Sequence, residues 1–588
     1  MMHFPRRSSI GFAIIGALAL VGALVAVAVP TAHAATRTVA ASYNGHPLSA
    51  TRVATSSKVP GKHITSTVHN AKNGPLAFKD HSPGGDAARA RATVARGALP
   101  HTAGAAIART AQGQQLANFN GLSDLDQANA NGGEGAEVTP PDQALCVGSV
   151  SSLFGGQKVV LEIVNDAGRF FTTGGTPLTA PISVATLFQD PGAFSDPRCL
   201  FDPTTQTFFL TIISSNSLGH TVDDVSVINS HGQTTYQFDT SQGGTCFGDQ
   251  PHTGFDNNAV YVTTDQFCGP NEDNFEGALV VAISKPQLVS QDLSVHALAF
   301  GPVSLGGIPI LTLEPAFGDG TNTEYLVNSF PFDAFGNSNS IANTLGLWQV
   351  TGDRHLTTGG TVTLSGRIIT SETYAFPMPA ASTGTGALTC VPFLVAINCP
   401  AGILVESEPF LDAGDSRMQQ VQFLADKSGP RLFAELDTAI TIGTDPSARD
   451  GIAWFEINPA AHKVTDQGYI AAAGKYLLYP ALIHTLSGTS VITFSLTSPT
   501  LNPSTAFVVR KAGGKSFGSI QITGVGAGPH VSFAGPLVNR VRWGDYSFSV
   551  LDPNGINIWG AAEYIPPAKD QDPIDNWGTR VWDVAGAH

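Results

Sequence analysis

Ser195–Ser214 reads SDPRCLFDPTTQTFFLTIIS. A short strand runs into the turn FDPTTQT, rich in Asp, Pro and Thr. A second run of aromatic and β-branched residues then follows, as in a buried strand. The same unit recurs as PPDQALCVG then VVLEIVN from Asp142, GDQPHTGFD then AVYVTTDQF from Asp249, and LEPAFGDGT then EYLVNSF from Glu314. It returns as GDSRMQQVQF then RLFAELDTAI from Asp415, LYPALIHTL then VITFSLT from Tyr479, and GDYSFSVLD then NIWGAAEYI from Asp545. The seven starts lie 54, 53, 65, 101, 64 and 66 residues apart. Third strands follow in most units, among them ALVVAIS (278–284) and IAWFEIN (452–458). Their second strands are apolar on both faces, so each unit must bury both faces against its neighbours. This predicts an all-β fold, a seven-bladed β-propeller over residues 116–588. Successive β-sandwich domains would not need one repeated strand-start motif. The last unit has three clear strands, and ANFNGLSD (117–124) is expected to supply the fourth and close the ring. The 101-residue interval holds an insertion at about 370–413, read either as a hairpin shaping a binding face or as a packing strap. Trp543, Trp559, Trp577 and Trp582 are read as blade core.

The rest of the chain has a different composition. Of 588 residues, 31 are Lys or Arg and 46 are Asp or Glu. Residues 1–115 carry a net +10 and residues 116–588 a net −25. So acidic a body excludes nucleic acid as its partner. Arg6 and Arg7, an uncharged apolar stretch from Ile10 to Val29, Pro30 and Ala32-His33-Ala34 make residues 1–34 an export signal or an uncleaved N-terminal membrane anchor. That segment is the only expected membrane contact, and the protein is expected to be secreted or at the cell surface. Residues 35–115, basic and rich in Ala, Thr and Ser, are expected to be a disordered stalk or propeptide.

Six cysteines in an exported chain suggest disulfides. Sequence order favours Cys146–Cys199, Cys246–Cys268 and Cys390–Cys399 among the 15 connectivities open to them. No C-x-x-C or Cys/His metal spacing is present.

The unit starts place Asp142, Asp196, Asp249, Glu314, Asp415 and Asp545 as an expected axial ring, with Arg198, Arg417 and Arg542 close enough to neutralise it. Carboxylates crowded together oppose each other's ionisation, so such a ring must be wide, hydrogen-bonded, matched by cations or partly protonated. Either these acids accept backbone N–H bonds at turns while the arginines bridge blades, or the ring with His252 binds a ligand. No cofactor is expected. If the ring held a cation, its hard oxygen donors would suit Ca²⁺, although no EF-hand loop is present. His252, His484 and Tyr479 are the side chains expected beside the same mouth for acid–base work on a glycoside. No nucleophile elbow, zinc-protease motif, P-loop or dinucleotide fingerprint occurs.

The units SDPRCLFDPTTQTFFLTII and RWGDYSFSVLDPNGINIWGAAEYI…NWGTRVW, with the lead-in FNGLSDLDQANANGG, resemble secreted bacterial β-propellers of the sialidase-like, Asp-box-related class. The likeness covers about residues 117–588. It implies the propeller, and as one alternative a sialidase-like glycoside hydrolase. The chain departs from that class in having no intact S-x-D-x-G-x-x-W turn. The nearest is VNDAGRFF, with Val164 in the Ser position and Phe171 in the Trp position. The sequence reading therefore favours a non-catalytic binder of an extracellular carbohydrate or protein. The hydrolase and a structural cell-surface protein are the alternatives.

Overall fold

The computed structural model describes residues 39–56, 99–108, 115–132, 138–318, 322–332, 341–392, 398–399, 402–426, 429–533 and 542–586. The signal or anchor segment, 1–34, lies outside the described residues.

The protein is nearly all β. Among the described residues, seven antiparallel sheets follow one another, each built on four strands hydrogen-bonded in series. Sheet I comprises Ala144–Gly148, Val159–Val164, Ala167–Thr172 and Ile182–Ser183. Sheet II comprises Ser195–Asp202, Thr207–Ser215, Thr221–Asn229 and Gly232–Phe238. Sheet III takes Cys246–Phe255, Ala259–Cys268, Asn274–Ser284 and Ala297–Leu305. Sheet IV takes Glu314–Pro315, Glu324–Asn328, Ala342–Thr351 and Thr363–Tyr374. Sheet V is Met418–Asp426, Gly429–Ile442, Arg449–Asn458 and Lys463–Ile470, and sheet VI is Tyr476–His484, Ser490–Ser498, Leu501–Arg510 and Ile520–Gly524. Sheet VII is Phe548–Leu551, Ile558–Tyr564 and Gly578–Val584, completed by Gln115–Ser123 from the other end of the chain. The pairing of that N-terminal strand, Phe119 with Val581 and Asn118 with Trp582, covers an edge that would otherwise offer a row of free backbone groups.

The first strand of each sheet packs against the first strand of the next, and that of sheet VII packs against that of sheet I. The sheets thus stand around one axis with their first strands innermost, a propeller-like arrangement. Apolar residues fill the spaces between sheets. Ala259, Tyr261 and Val280 of sheet III meet Leu326 and Trp348 of sheet IV, and Phe433 and Trp454 of sheet V meet Ile492 and Phe494 of sheet VI. Trp543, Trp559, Trp577 and Trp582 are all buried, as core. The apolar second strands follow from this packing, because both their faces are covered.

Residues 35–115 are not uniformly a stalk. Ala40–Asn44 adds an antiparallel strand to the outer edge of sheet IV, His46–Leu48 to sheet III and Ala50–Ser56 to sheet II. His101–Thr102 and Ile107–Ala108 pair in parallel with strands of sheets V and VI. The segment has too little apolar surface to fold alone. An outer edge supplies what it lacks, since the backbone of a preformed sheet satisfies its N–H and C=O groups. The expected stalk over 57–98 and 109–114 lies outside the described residues.

The insertion begins later than the sequence suggested, because 370–374 still belong to the outer strand of sheet IV. Its strand Gly402–Ser407 pairs with Val531–Phe533, a segment between sheets VI and VII. Its residues Ala380, Leu411 and Ala413 pack on Tyr476, Leu478, Tyr479 and Trp543, so it lies over the beginnings of the inner strands of sheets VI and VII. Cys146 is bonded to Cys199, joining the inner strands of sheets I and II, and Cys246 to Cys268 across the first hairpin of sheet III. The side chains of Cys390 and Cys399 lie outside the described residues.

Candidate functional site at the axis

At the start of the inner strands the chain makes one tight left-handed step. Asp142, Asp196, Gln250, Thr312 and Tyr479 have φ of 25°, 54°, 48°, 47° and 50°. In three cases a polar side chain at or near the end of the preceding sheet's second strand takes the backbone N–H of this residue. Asn165 Oδ1 binds Asp196 N at 2.9 Å, Asp265 Oδ1 binds Thr312 N at 2.9 Å, and Asp437 Oδ2 binds Tyr479 N at 3.0 Å. Each contact ties one sheet to the next. Sequence reasoning missed these three acceptors. Their signal was a polar residue closing or interrupting an apolar second strand, as in VVLEIVN.

This step corrects the expected ring. The six acids are not in register, since Asp249 lies one residue before the left-handed position of sheet III and Glu314 two residues after that of sheet IV. The residues that do match are Arg198 and His252, each the first paired residue after a bulge, and Glu314, each two residues beyond the left-handed step. Gln420 is the first paired residue after the bulge in sheet V. The side chains of Arg198, His252 and Glu314 meet. Arg198 Nη2 lies 3.2 Å from His252 Nδ1, and Glu314 Oε2 is in close contact with the same nitrogen. Arg198 also binds Pro251 O at 3.1 Å and stacks on the Tyr546 ring, 3.5 Å from its centroid. Gln420 Nε2 donates to Leu482 O at 2.9 Å and to Ser549 O at 3.0 Å, spanning from sheet V to sheets VI and VII. Each of the four is at most 4% exposed, a buried polar level along the inner strands.

Burial holds the Glu314 carboxyl well above its usual range, against the pull of Arg198. Burial, with the charges of Arg198 and Arg417, holds His252 well below its own. Both shifts act toward the neutral forms. Among the described residues His252 Nε2 has no hydrogen-bond partner.

Above this layer the remaining acids form a cluster. Asn165 Nδ2 binds Asp142 Oδ2 at 2.7 Å, and Asp545 N donates to Asp142 Oδ1 at 3.1 Å. Ser195 Oγ binds Asp196 Oδ1 at 2.7 Å, and the Tyr546 hydroxyl donates to Asp196 Oδ2 at 3.4 Å. Arg417 is bidentate on Asp415, at 2.9 and 2.6 Å, and Arg542 binds Asp545. Two of the three arginines thus neutralise ring acids directly, while Arg198 serves the layer below. Burial, then the charges of Asp545 and Asp196, push Asp142 well above the ordinary carboxylate range. Burial, then Asp249, push Asp196 up to about 6. Asp249, Gln250, Arg542 and Asp545 are half-buried and give the cluster its contact with solvent.

Tyr479 lies at this end, buried beneath the insertion. His484 does not. It is five residues further along the same strand, about 16 Å away, with Nδ1 at 2.7 Å from Ser490 Oγ and its ring stacked on Phe433 at 4.0 Å. Among the described residues no group of three or more His, Cys, Asp or Glu is placed to hold a metal ion, so the arrangement gives the Ca²⁺ expectation no support.

No protein-family model and no curated protein matches the chain. Among solved structures, 112 chains match. One is the subtype N11 neuraminidase-like protein of A/flat-faced bat/Peru, 10% identical, over 52% of this chain and 72% of that one, with a TM-score of 0.26. Another is an endo-arabinase from Bacteroides thetaiotaomicron, 13% identical, over 58% and 94%, with a TM-score of 0.24. A third is the subtype N10 neuraminidase-like protein of A/little yellow-shouldered bat/Guatemala, 12% identical, over 60% and 88%, with a TM-score of 0.27. At such scores the likeness carries no argument. The fold rests on the strand pairing.

Proposed function

We propose that the protein is an exported seven-bladed β-propeller that binds an extracellular carbohydrate at the strand-start mouth of its axis. The observation that carries this reading is the cluster of Asp142, Asp196, Asp249, Asp545 and Arg542 above a buried polar level. It gathers carboxylate acceptors and a guanidinium donor at one half-open mouth, the mixture that sugar hydroxyls satisfy. The seven sheets in cyclic contact support the blade count, and the two disulfides suit an oxidising compartment outside the cytoplasm.

A second reading, sialidase-like glycoside hydrolysis, is favoured by one specific feature. Asp142 and Asp196 are neighbours whose environments raise them unequally, which is how a site keeps one carboxyl as acid and another as base at one pH.

A glycan array combined with a hydrolase substrate panel tests both. Saturable glycan binding, lost in Asp545→Asn and Asp196→Asn, is the expected result. Turnover abolished by Asp196→Asn would favour the hydrolase. A chain that neither retains nor cleaves any glycan would refute the carbohydrate site altogether.

A further inference from the structure

Below the polar layer the axis changes character. The far ends of the inner strands line a cavity of about 270 Å³, with residues contributed from all seven sheets or the turns that end their inner strands. Its wall includes Phe201, Phe255, Phe317, Phe423, Leu486 and Leu551. On one side the backbone closes it. Phe255 N donates to Ala316 O at 3.2 Å, Phe317 N to Val421 O at 3.1 Å and Phe423 N to Phe317 O at 3.0 Å, so the inner strands of sheets III, IV and V are directly bonded. Glycine permits that approach, since a Cβ on Gly254 would stand 2.3 Å from Ala316 O and one on Gly318 2.3 Å from Phe423 O.

Among the described residues, Gln422 and Asp552 are the only lining side chains with strong hydrogen-bonding groups, and both are satisfied. Gln422 exchanges bonds with the His484 backbone at 2.7 and 3.0 Å. Asp552 holds Lys158 Nζ at 2.6 and 2.9 Å, Trp559 Nε1 at 3.1 Å and Asn554 N at 2.9 Å. The wall that faces a ligand is therefore mostly apolar. An apolar cavity of about 150 Å³ is enough to take benzene, and this one is larger and open. Leu486 at its edge is 64% exposed, a cost in water that an apolar guest would remove. Lys158, half-exposed beside Asp552, has a third N–H beyond the two that its partner takes.

We infer that this cavity is a second binding site, opposite the first, for a medium-length alkyl chain whose carboxylate head stays at the rim beside Lys158. The inference does not rest on the carbohydrate reading, because the cavity shares no lining residue with the acidic cluster.

Calorimetric titration of the full chain with decanoate, and separately with decanol, tests it. Decanoate should bind at one site per chain. Leu486→Asp, at an exposed position, should weaken both probes at least tenfold, whereas Leu218→Asp, an exposed leucine that does not line the cavity, should change neither. Lys158→Met should weaken decanoate severalfold and leave decanol unchanged, with Lys158→Arg restoring decanoate. No saturable decanoate binding, or binding indifferent to Leu486→Asp, would overturn the site. Equal effects of Lys158→Met on the two probes would overturn the role of the lysine.

Discussion

Asp450 offers a direct test of how this fold handles its buried acids. It lies in the third strand of sheet V, fully buried, with Oδ1 accepting the Met378 backbone N–H of the insertion at 2.8 Å and Oδ2 without a hydrogen-bond partner among the described residues. Burial pushes its carboxyl up from 3.8 to about 8. Asp412 adds to the rise, and Arg449 offsets part of it. Since the folded value lies above the unfolded one, the stability Asp450 contributes is full below about pH 3.8 and is lost as pH rises toward 8. The slope for one such group is about 1.4 kcal/mol per pH unit, so at pH 7 the loss amounts to ~4 kcal/mol. Asp450→Asn keeps the acceptor for Met378 and removes the titration. Thermal unfolding followed by tryptophan fluorescence from pH 4 to 8.5 should show the two proteins nearly level at pH 4 and the variant increasingly more stable above pH 5. A gap that does not change with pH, or a wild type that stays the more stable at pH 8, would rule out a buried carboxyl at Asp450 that resists ionisation.

Asn165→Ala leaves Pro140 O, Asp142 and Asp196 N short of a partner between sheets I and II, and should cost about 2–3 kcal/mol in a denaturant melt. Asp415→Ala removes the bidentate carboxylate partner of the buried Arg417 guanidinium and should cost about 3–5 kcal/mol by the same measurement. Reducing the chain opens loops of 53 and 22 residues, each closure contributing about 3–4 kcal/mol, and the melting temperature should fall on adding reductant. A chain beginning at residue 57 should remain folded by size-exclusion chromatography and circular dichroism, having lost only outer fifth strands. One beginning at residue 124 should aggregate, because the edge of sheet VII is then exposed.

Much of the architecture was legible in the repeats. The strand-start motif, the turns and the two-faced apolar second strands follow from local chemistry, and each repeats where a sheet begins. The need for 117–124 to complete the last sheet was also readable, since the final unit was one strand short. The added strands within 40–56, at 101–102 and at 107–108 were not. Their composition suggests disorder, and only a preformed edge gives their backbone a partner.

At the site, sequence supplied the residue types but misjudged their register. Counting acids in the motif put Asp249 and Glu314 into one ring. The bulge and the left-handed step decide otherwise, and they set Glu314 level with Arg198 and His252. No periodicity marked Gln420, which bridges three sheets, or the cavity beneath it, whose wall is assembled from residues up to about 400 positions apart. The strands, their repetition and the chemistry available at each strand start were set locally, because hydrogen bonding and burial periodicity act within a few residues. Which side chains share the axis, which are neutralised, and that an acidic cluster lies at one end and an apolar cavity at the other were set by the packing of sheet on sheet. Those outcomes depend on contacts between sheets, where a one-residue change of register turns a side chain from the axis into the wall.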